Sequence, residues 1–251
     1  MLLPATLDKF ANKTLRSLGY TLTKRNRLQL ALDRRQRLLE SHFIDLVVDV
    51  GANIGQYGKS LREIGYLGPI VSFEPMTHAF RELDATARSD GNWKALHFGL
   101  SDSEEDLVLH ISGNSISSSI LPMLSMHEEF APKSCYVDSE PIHVRKLDDV
   151  FGEISGNAKN IWLKLDVQGY EDRVLRGAEA TLQRIKMIQI ELSFRPLYAN
   201  QASFTKTCDL LQELGFDLVG IEPGFMDHST GELLQADGIF LSRGKRSDPR
   251  S

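Results

Sequence analysis

Apolar positions change their spacing at about residue 46. Before it, two helical patterns run around 7–18 and 28–43, separated by "SLGYTLTKRN". After it, short apolar runs alternate with helical stretches. "LVVDV" predicts a buried strand and "QYGKSLREIG" a helix closed by Gly65. "PIVSFE" predicts a second strand, with a helix over about 76–89. "WKALHFGL" predicts a third strand, and "EDLVLHIS" alternates as a hairpin arm does. Residues 112–140 lack clear periodicity and are rich in serine. A segment of this kind in a compact domain predicts a functional lid or disorder. "IHVRKLDDV" resumes a strand, "NIWLKLD" is another, and "YEDRVLRGAEATLQRI" reads as one helix. Then follow the strand "MIQIEL", the helix "FTKTCDLLQELG", and the strands "FDLVGIE" and "GIFLS". Strands alternating with helices predict an α/β domain with a largely parallel sheet covered on both faces.

The chain has 251 residues and a net charge of −5, enough to bury a sizeable core without metal or disulfide staples. Residues 1–45 carry nine Lys or Arg against four Asp or Glu. They read as a basic helical extension ahead of a domain over 46–243 and a polar tail over 244–251. Such an extension suits a solvated helix pair, or contact with a second copy or an anionic surface. Cys135 and Cys208 have no metal-ligand spacing and read as free thiols of a reducing cytoplasm. No apolar run approaches the roughly 20 residues of a membrane span.

Ligands of parallel sheets bind beyond the strand C-termini, where this sequence places Asp49, Glu74, Asp102, Asp166 and Glu191, with Asp237 just before the last strand. After the first strand comes Gly51-Ala-Asn53-Ile-Gly55 and then a helix. Glycines admit a close ligand, and a helix N-terminus favours an anion. The third glycine of a dinucleotide fingerprint is absent, which argues against a nicotinamide-dependent oxidoreductase and for a smaller anion such as an amino-acid carboxylate. Glu74, 23 residues after Gly51, is placed to accept both hydroxyls of a ribose. An amino-acid tail and a ribose together describe S-adenosylmethionine. Asp49 then meets the ammonium, and Asp102 the adenine amino group.

Six ordered stretches carry a resemblance: "VVDVGANIGQYG", "VSFEP", "FGLSD", "WLKLDVQGYEDRVLRGA", "IQIELSFRPLY" and "LLQADGIFLS". Across roughly 46–242 the chain resembles the FkbM family of S-adenosylmethionine-dependent methyltransferases. The resemblance implies a Rossmann-like seven-stranded class I methyltransferase fold and O-methylation of hydroxyls, often on sugars or related secondary metabolites. Gln168 stands in "DVQG" where many members carry Glu, which removes one carboxylate near the acceptor.

A hydroxyl acceptor needs a base as the methyl group is attacked. Asp166 is the candidate base and Glu191 the carboxylate that orients the acceptor. Lys164, Arg195, Tyr198, His228 and Asp237 are candidates for the acceptor pocket. No metal is expected; were a divalent ion used, Asp166, Glu191 and Asp237 would be its hard-oxygen ligands. The expected acceptor is a small molecule or glycan, not nucleic acid. A non-catalytic module that keeps the cofactor fold is the alternative from another class.

Overall fold

The structure, a computed structural model, describes residues 27–227 and 229–244. The helix expected around 7–18, His228 and all of the tail beyond 244 lie outside them. Helix α1 (Arg27–Ser41) leads into β1 (Leu46–Val50), α2 (Gln56–Glu63), β2 (Ile70–Phe73), α3 (Thr77–Asp90) and β3 (Trp93–Leu96). Then follow β4 (Gly99–Leu100), β5 (Glu105–Ser112), α4 (Ser125–Phe130), β6 (Tyr136–Arg145), α5 (Leu147–Ser155) and β7 (Ile161–Leu165). The last elements are α6 (Glu171–Arg176), α7 (Glu179–Leu182), β8 (Ile185–Ser193), α8 (Phe204–Glu213), β9 (Phe216–Pro223) and β10 (Gln235–Ser242).

Seven strands form one sheet in the order β3-β2-β1-β7-β8-β10-β9. All neighbours are parallel up to β8, and β10 lies antiparallel between β8 and β9. This is the Rossmann-like seven-stranded arrangement that the resemblance implies. A smaller sheet, β4-β6-β5, is inserted after β3. No helix of the described residues is long and apolar enough to cross a membrane.

The central strands are apolar on both faces because helices cover both. One face buries Val48, Val50, Leu163, Leu165, Ile188 and Ile190. The other buries Val47, Trp162, Met187 and Ile239 against Leu39 of α1 and Leu61 of α2. Helix α1 therefore belongs to the domain's core, and the boundary expected at residue 45 falls inside a packed unit. Helix α2 lies close to the sheet because Gly58 faces Trp93; a Cβ there would stand 2.3 Å from the indole.

Several elements differ from their sequence reading. "WKALHFGL" is two strands in two sheets, the chain turning where His97 stacks on Phe80. "LDDV" begins α5 and does not continue the strand. The single helix expected over 170–185 breaks at Gly177, whose missing Cβ lets the backbone approach the Ser101 carbonyl; a Cβ would lie 1.9 Å from that oxygen. Asp237 lies within β10, not ahead of it. The 112–140 segment is folded: Asn114 bonds Ser112, Ser117 and Ser134, and α4 and a 3-10 turn over Pro132–Ser134 follow. Its serines bond to one another inside the turn, so their polarity does not mark a structureless loop.

Candidate active site

The strand order reverses direction between β1 and β7, and the crevice at such a point is where open α/β sheets bind ligands. A cavity of about 380 Å³ opens there, within the roughly 300–1,000 Å³ of small-molecule sites. Its walls come from the loop after β1 (Gly51, Asn53), from Glu74 after β2, from apolar Met76, Leu100, Leu109 and Ile142, and from Lys164, Asp166 and Gln168 of the β7 end. Ser115, Ile116 and Ser118 of the folded 112–140 segment close one side, and Arg35 and Tyr57 another.

The glycine loop is shaped by the protein itself. Gly51 has φ +77°, and a Cβ on it would stand 1.9 Å from the Asp166 carbonyl oxygen. A Cβ on Gly55, at φ +84°, would press on Leu83 and Trp93. Both glycines thus bring the β1 loop against its neighbours; neither has its Cβ direction open to a ligand. Glu74 fixes the same loop. Its two oxygens accept from the backbone N–H of Asn53 at 2.7 Å and of Met76 at 2.8 Å. Burial pushes its carboxyl up to about 7, against those two hydrogen bonds.

Register carries a polar row across the middle of the sheet. Ser72, Asp49, Lys164 and Gln189 pair in sequence across β2, β1, β7 and β8, so their side chains share one face. Asp49 is fully buried; Ser72 reaches one oxygen at 3.4 Å, and Oδ1 has no hydrogen-bond partner. Burial raises its carboxyl to about 6, although Lys164 pulls the other way. Burial alone would strip the proton from Lys164, but Asp166, Asp49 and Asp237 outweigh it and hold the ammonium above its ordinary range. Lys164 pairs with Asp166 at 3.0 Å. Tyr57 lies between two cations, with Arg35 and Lys164 each 5.2 Å from its ring centre, and its hydroxyl donates to Gln189.

Asp166 lies on the cavity wall, with Lys164 on one oxygen and the Gln168 amide on the other at 2.7 Å. Glu191 stands behind it. Its Oε2 accepts from Gln168 at 3.2 Å and Gln235 at 2.7 Å, and burial, then the charges of Asp166, Glu171 and Asp237, push its carboxyl up. Asp237 accepts from Gln189 at 2.9 Å and faces Arg35 at 3.9 Å. Lys164 and an amide thus engage both oxygens of Asp166, and amides engage one oxygen each of Glu191 and Asp237. Among the described residues no three of His, Cys, Asp and Glu form a metal-binding group.

Other expected residues fall elsewhere. Asp102 is off the cavity wall; burial alone would raise its carboxyl, but Arg173, 2.9 Å away, holds it below the ordinary range. Gly99 and Leu100 line the cavity in its place. Arg195 is paired with Glu232 at 3.2 Å with both side chains about half exposed, and Tyr198 is buried behind Gln168. Arg35, Tyr57 and Gln189 were missed. In the sequence Arg35 is one charge of a basic segment, and its spacing from Leu32 and Leu39 on one helix is the hint that it faces inward.

The family model of the methyltransferase FkbM domain matches residues 49–218. The chain belongs to the FkbM methyltransferase family. Within this FkbM chain, 202 residues are 27% identical to the AMB antimetabolite synthetase AmbE of Pseudomonas aeruginosa, covering 69% of this chain and 10% of that protein. The chain thus spans about a tenth of the length of that curated relative. Among solved structures, the FkbM chain is similar to magnesium protoporphyrin IX methyltransferase from Synechocystis PCC 6803 with bound S-adenosylmethionine, at a TM-score of 0.47 and 10% identity over 96% of this chain and 98% of that one. It is also similar to Aeropyrum pernix fibrillarin in complex with natively bound S-adenosyl-L-methionine, at a TM-score of 0.48 and 9% identity over 85% and 74%.

Proposed function

We propose that this chain is an S-adenosylmethionine-dependent O-methyltransferase acting on a hydroxyl of a sugar, glycan or related secondary metabolite. The observation that carries the reading is Asp166: a carboxylate on the wall of the cavity beside the glycine loop, held by Lys164 and Gln168.

The residues fit the methyl donor. Glu74 accepts two backbone bonds and keeps further lone pairs for the ribose hydroxyls. Asp49 retains one unpartnered oxygen for the ammonium end. Met76, Leu100, Leu109 and Ile142 offer an apolar wall for the adenine. S-adenosylmethionine, when bound, supplies an electrophilic methyl group on a cationic sulfur. Asp166 would accept the proton of the acceptor hydroxyl. Lys164 keeps the carboxylate oriented, and the 115–118 segment shields the site from water. Glu191 acts on the acceptor through Gln168, since that amide stands between it and Asp166. A reducing compartment suits the two free cysteines.

The test is transfer of labelled methyl from S-adenosylmethionine to a panel of mono- and oligosaccharides, with and without chelator. Asp166→Asn should bind the donor nearly normally and lose turnover by at least about 100-fold. Thermal melts should accompany it, because Lys164 loses its partner. Wild-type turnover in Asp166→Asn would place the base elsewhere, and loss of turnover on chelation would restore a metal.

A further inference from the structure

The glycine loop after β1 and the turn over 113–118 are far apart in the chain. Both reach the cavity wall, and Asn53 joins them. Its backbone is left-handed, at φ +47°, as is that of Ser115, at φ +59°. The Asn53 N–H donates to Glu74 Oε2 at 2.7 Å. Its side-chain Oδ1 accepts from the Ile54 N–H at 2.9 Å and from Gln56 Nε2 at 3.3 Å. Nδ2 donates to the Ser115 carbonyl at 3.3 Å and lies 3.5 Å from Ser115 Oγ. One residue thus holds the Glu74 carboxylate with its backbone and the turn with its side chain.

Backbone groups fix which way this amide points. The Ile54 N–H only donates and the Ser115 carbonyl only accepts, so a reversed amide would lose both bonds. The turn has other anchors. Ser119 Oγ donates to the Gln168 carbonyl at 2.7 Å, and the Tyr198 hydroxyl to the Ser117 carbonyl at 3.1 Å. Asn114 is bonded to Ser112, Ser117 and Ser134. None of these bonds reaches the glycine loop, so Asn53 supplies the tie on the donor side. Ile116, next to Ser115, is on the cavity wall and yet 59% exposed. A turn that buries so little of its apolar surface opens at low cost unless its hydrogen bonds hold it.

We propose that Asn53 is a positioning residue that couples the two halves of the site, so that filling the donor pocket holds the 113–118 turn in place as a wall for the acceptor. This rests on the reading of Glu74 as a donor-binding residue. A donor on Glu74 fixes that side chain, Glu74 fixes the Asn53 backbone, and the Asn53 amide fixes Ser115 with its neighbours Ile116 and Ser118. The coupling sets an order: the acceptor binds the donor-loaded chain more tightly than the empty one. Linkage requires the reverse as well, an acceptor at the wall tightening the donor by the same factor.

The test needs no acceptor. Amide hydrogen exchange over 113–118 is followed in the full chain, with and without the demethylated donor, S-adenosylhomocysteine. In the wild type this ligand should slow exchange of the turn. Asn53→Asp keeps an oxygen for Ile54 and Gln56 and has no hydrogen for Ser115. Asn53→Gly keeps the left-handed backbone and adds no charge. Both should speed ligand-free exchange of the turn about 2- to 10-fold, the loss of one hydrogen bond, and abolish the slowing by ligand. Ser118→Ala, which loses bonds to Ser112 and Ser115 inside the turn, should speed exchange and keep that slowing. Unchanged exchange in β7 and β8 identifies the folded variants. Wild-type exchange of the turn in the folded Asn53 variants would overturn the proposal, and so would slowing by ligand that survives in them. S-adenosylhomocysteine that binds the wild type without slowing the turn would overturn the coupling and leave the donor reading intact. Failure to bind it at all would overturn the donor reading and the coupling together, and faster ligand-free exchange in the Asn53 variants would then show a purely structural clasp.

Discussion

Glu74→Gln separates the two jobs assigned to this side chain. In the protein, Oε2 accepts from Asn53 N–H and Oε1 from Met76 N–H. Glutamine keeps one of these bonds and turns a donor toward the other N–H. The lost bond to a charged group costs about 1.5–3 kcal/mol. Against this, burial raises the carboxyl from 4.5 to about 7, and an uncharged amide removes that burden of roughly 3 kcal/mol above pH 7. The sign follows from the raised value: the folded protein holds this proton more tightly, so the wild type loses stability as pH rises from 4.5 to about 7. The two terms nearly cancel at pH 8, and the variant should fold normally there. Ligand binding should not be spared. Ribose hydroxyls donate to an ionised carboxylate, so wild-type affinity should tighten as pH rises through about 7. The variant should bind about 10- to 100-fold more weakly at pH 8 and lack that step. Calorimetry with the demethylated product at pH 6 and 8 reads both. A folded variant within about twofold of wild type at pH 8, with the same pH step, would remove Glu74 from the ribose site.

The remaining predictions draw on other parts of the fold. Glu171 accepts from Val167 and Gly169 N–H, and burial, then the charge of Asp166, raises it to about 7. Glu171→Gln should therefore be more stable than wild type by up to about 3 kcal/mol at pH 8 in denaturant melts, an advantage that vanishes below about pH 4.5. Gly51→Ala should fail to fold or lose several kcal/mol, because its Cβ would stand 1.9 Å from a backbone oxygen. Gly65→Ala, at φ +89° with no heavy atom within 4 Å, should cost only about 1–2 kcal/mol; equal melting temperatures for the two variants would contradict the packing account. Removing residues 1–26 should leave cofactor affinity unchanged and, if that segment docks to a second copy, reduce the mass seen by light scattering. Removing 1–40 should destabilise the domain, since Leu39 and Arg35 are lost.

The apolar strands were legible because they are buried on both faces: "LVVDV" and "IWLKL" have no polar alternation to mislead. The acids at their C-terminal ends were legible for the same reason, a charge at the end of an apolar run being easy to see. What escaped was anything set by pairing between distant strands. Asp49, Lys164 and Gln189 form a row only once register is known. Asp102 looked equivalent to Glu74, yet Arg173, far along the chain, takes it away from the cavity. Arg35 was hidden in a helix whose charge count pointed outward. The serine-rich segment reads as aperiodic because composition does not reveal that Asn114 and Ser134 hold it in a turn beside the cavity.

The antiparallel strand β10 has a consequence for how the chain acquires its site. It is made after β9 yet must slide between β9 and β8, placing Gln235 and Asp237 against Glu191. Until it arrives, β8 presents an open sheet edge, and Glu191 and Gln189 keep only their bonds to Gln168 and Tyr57. During synthesis the donor pocket between β1 and β7 can be assembled while the acidic wall beside it is still unfinished. Long-range pairing of this kind forms late and slowly, and an unpaired central edge invites association with other nascent chains. Folding yield should accordingly be more sensitive to changes in β10 than its modest share of the cavity lining would suggest.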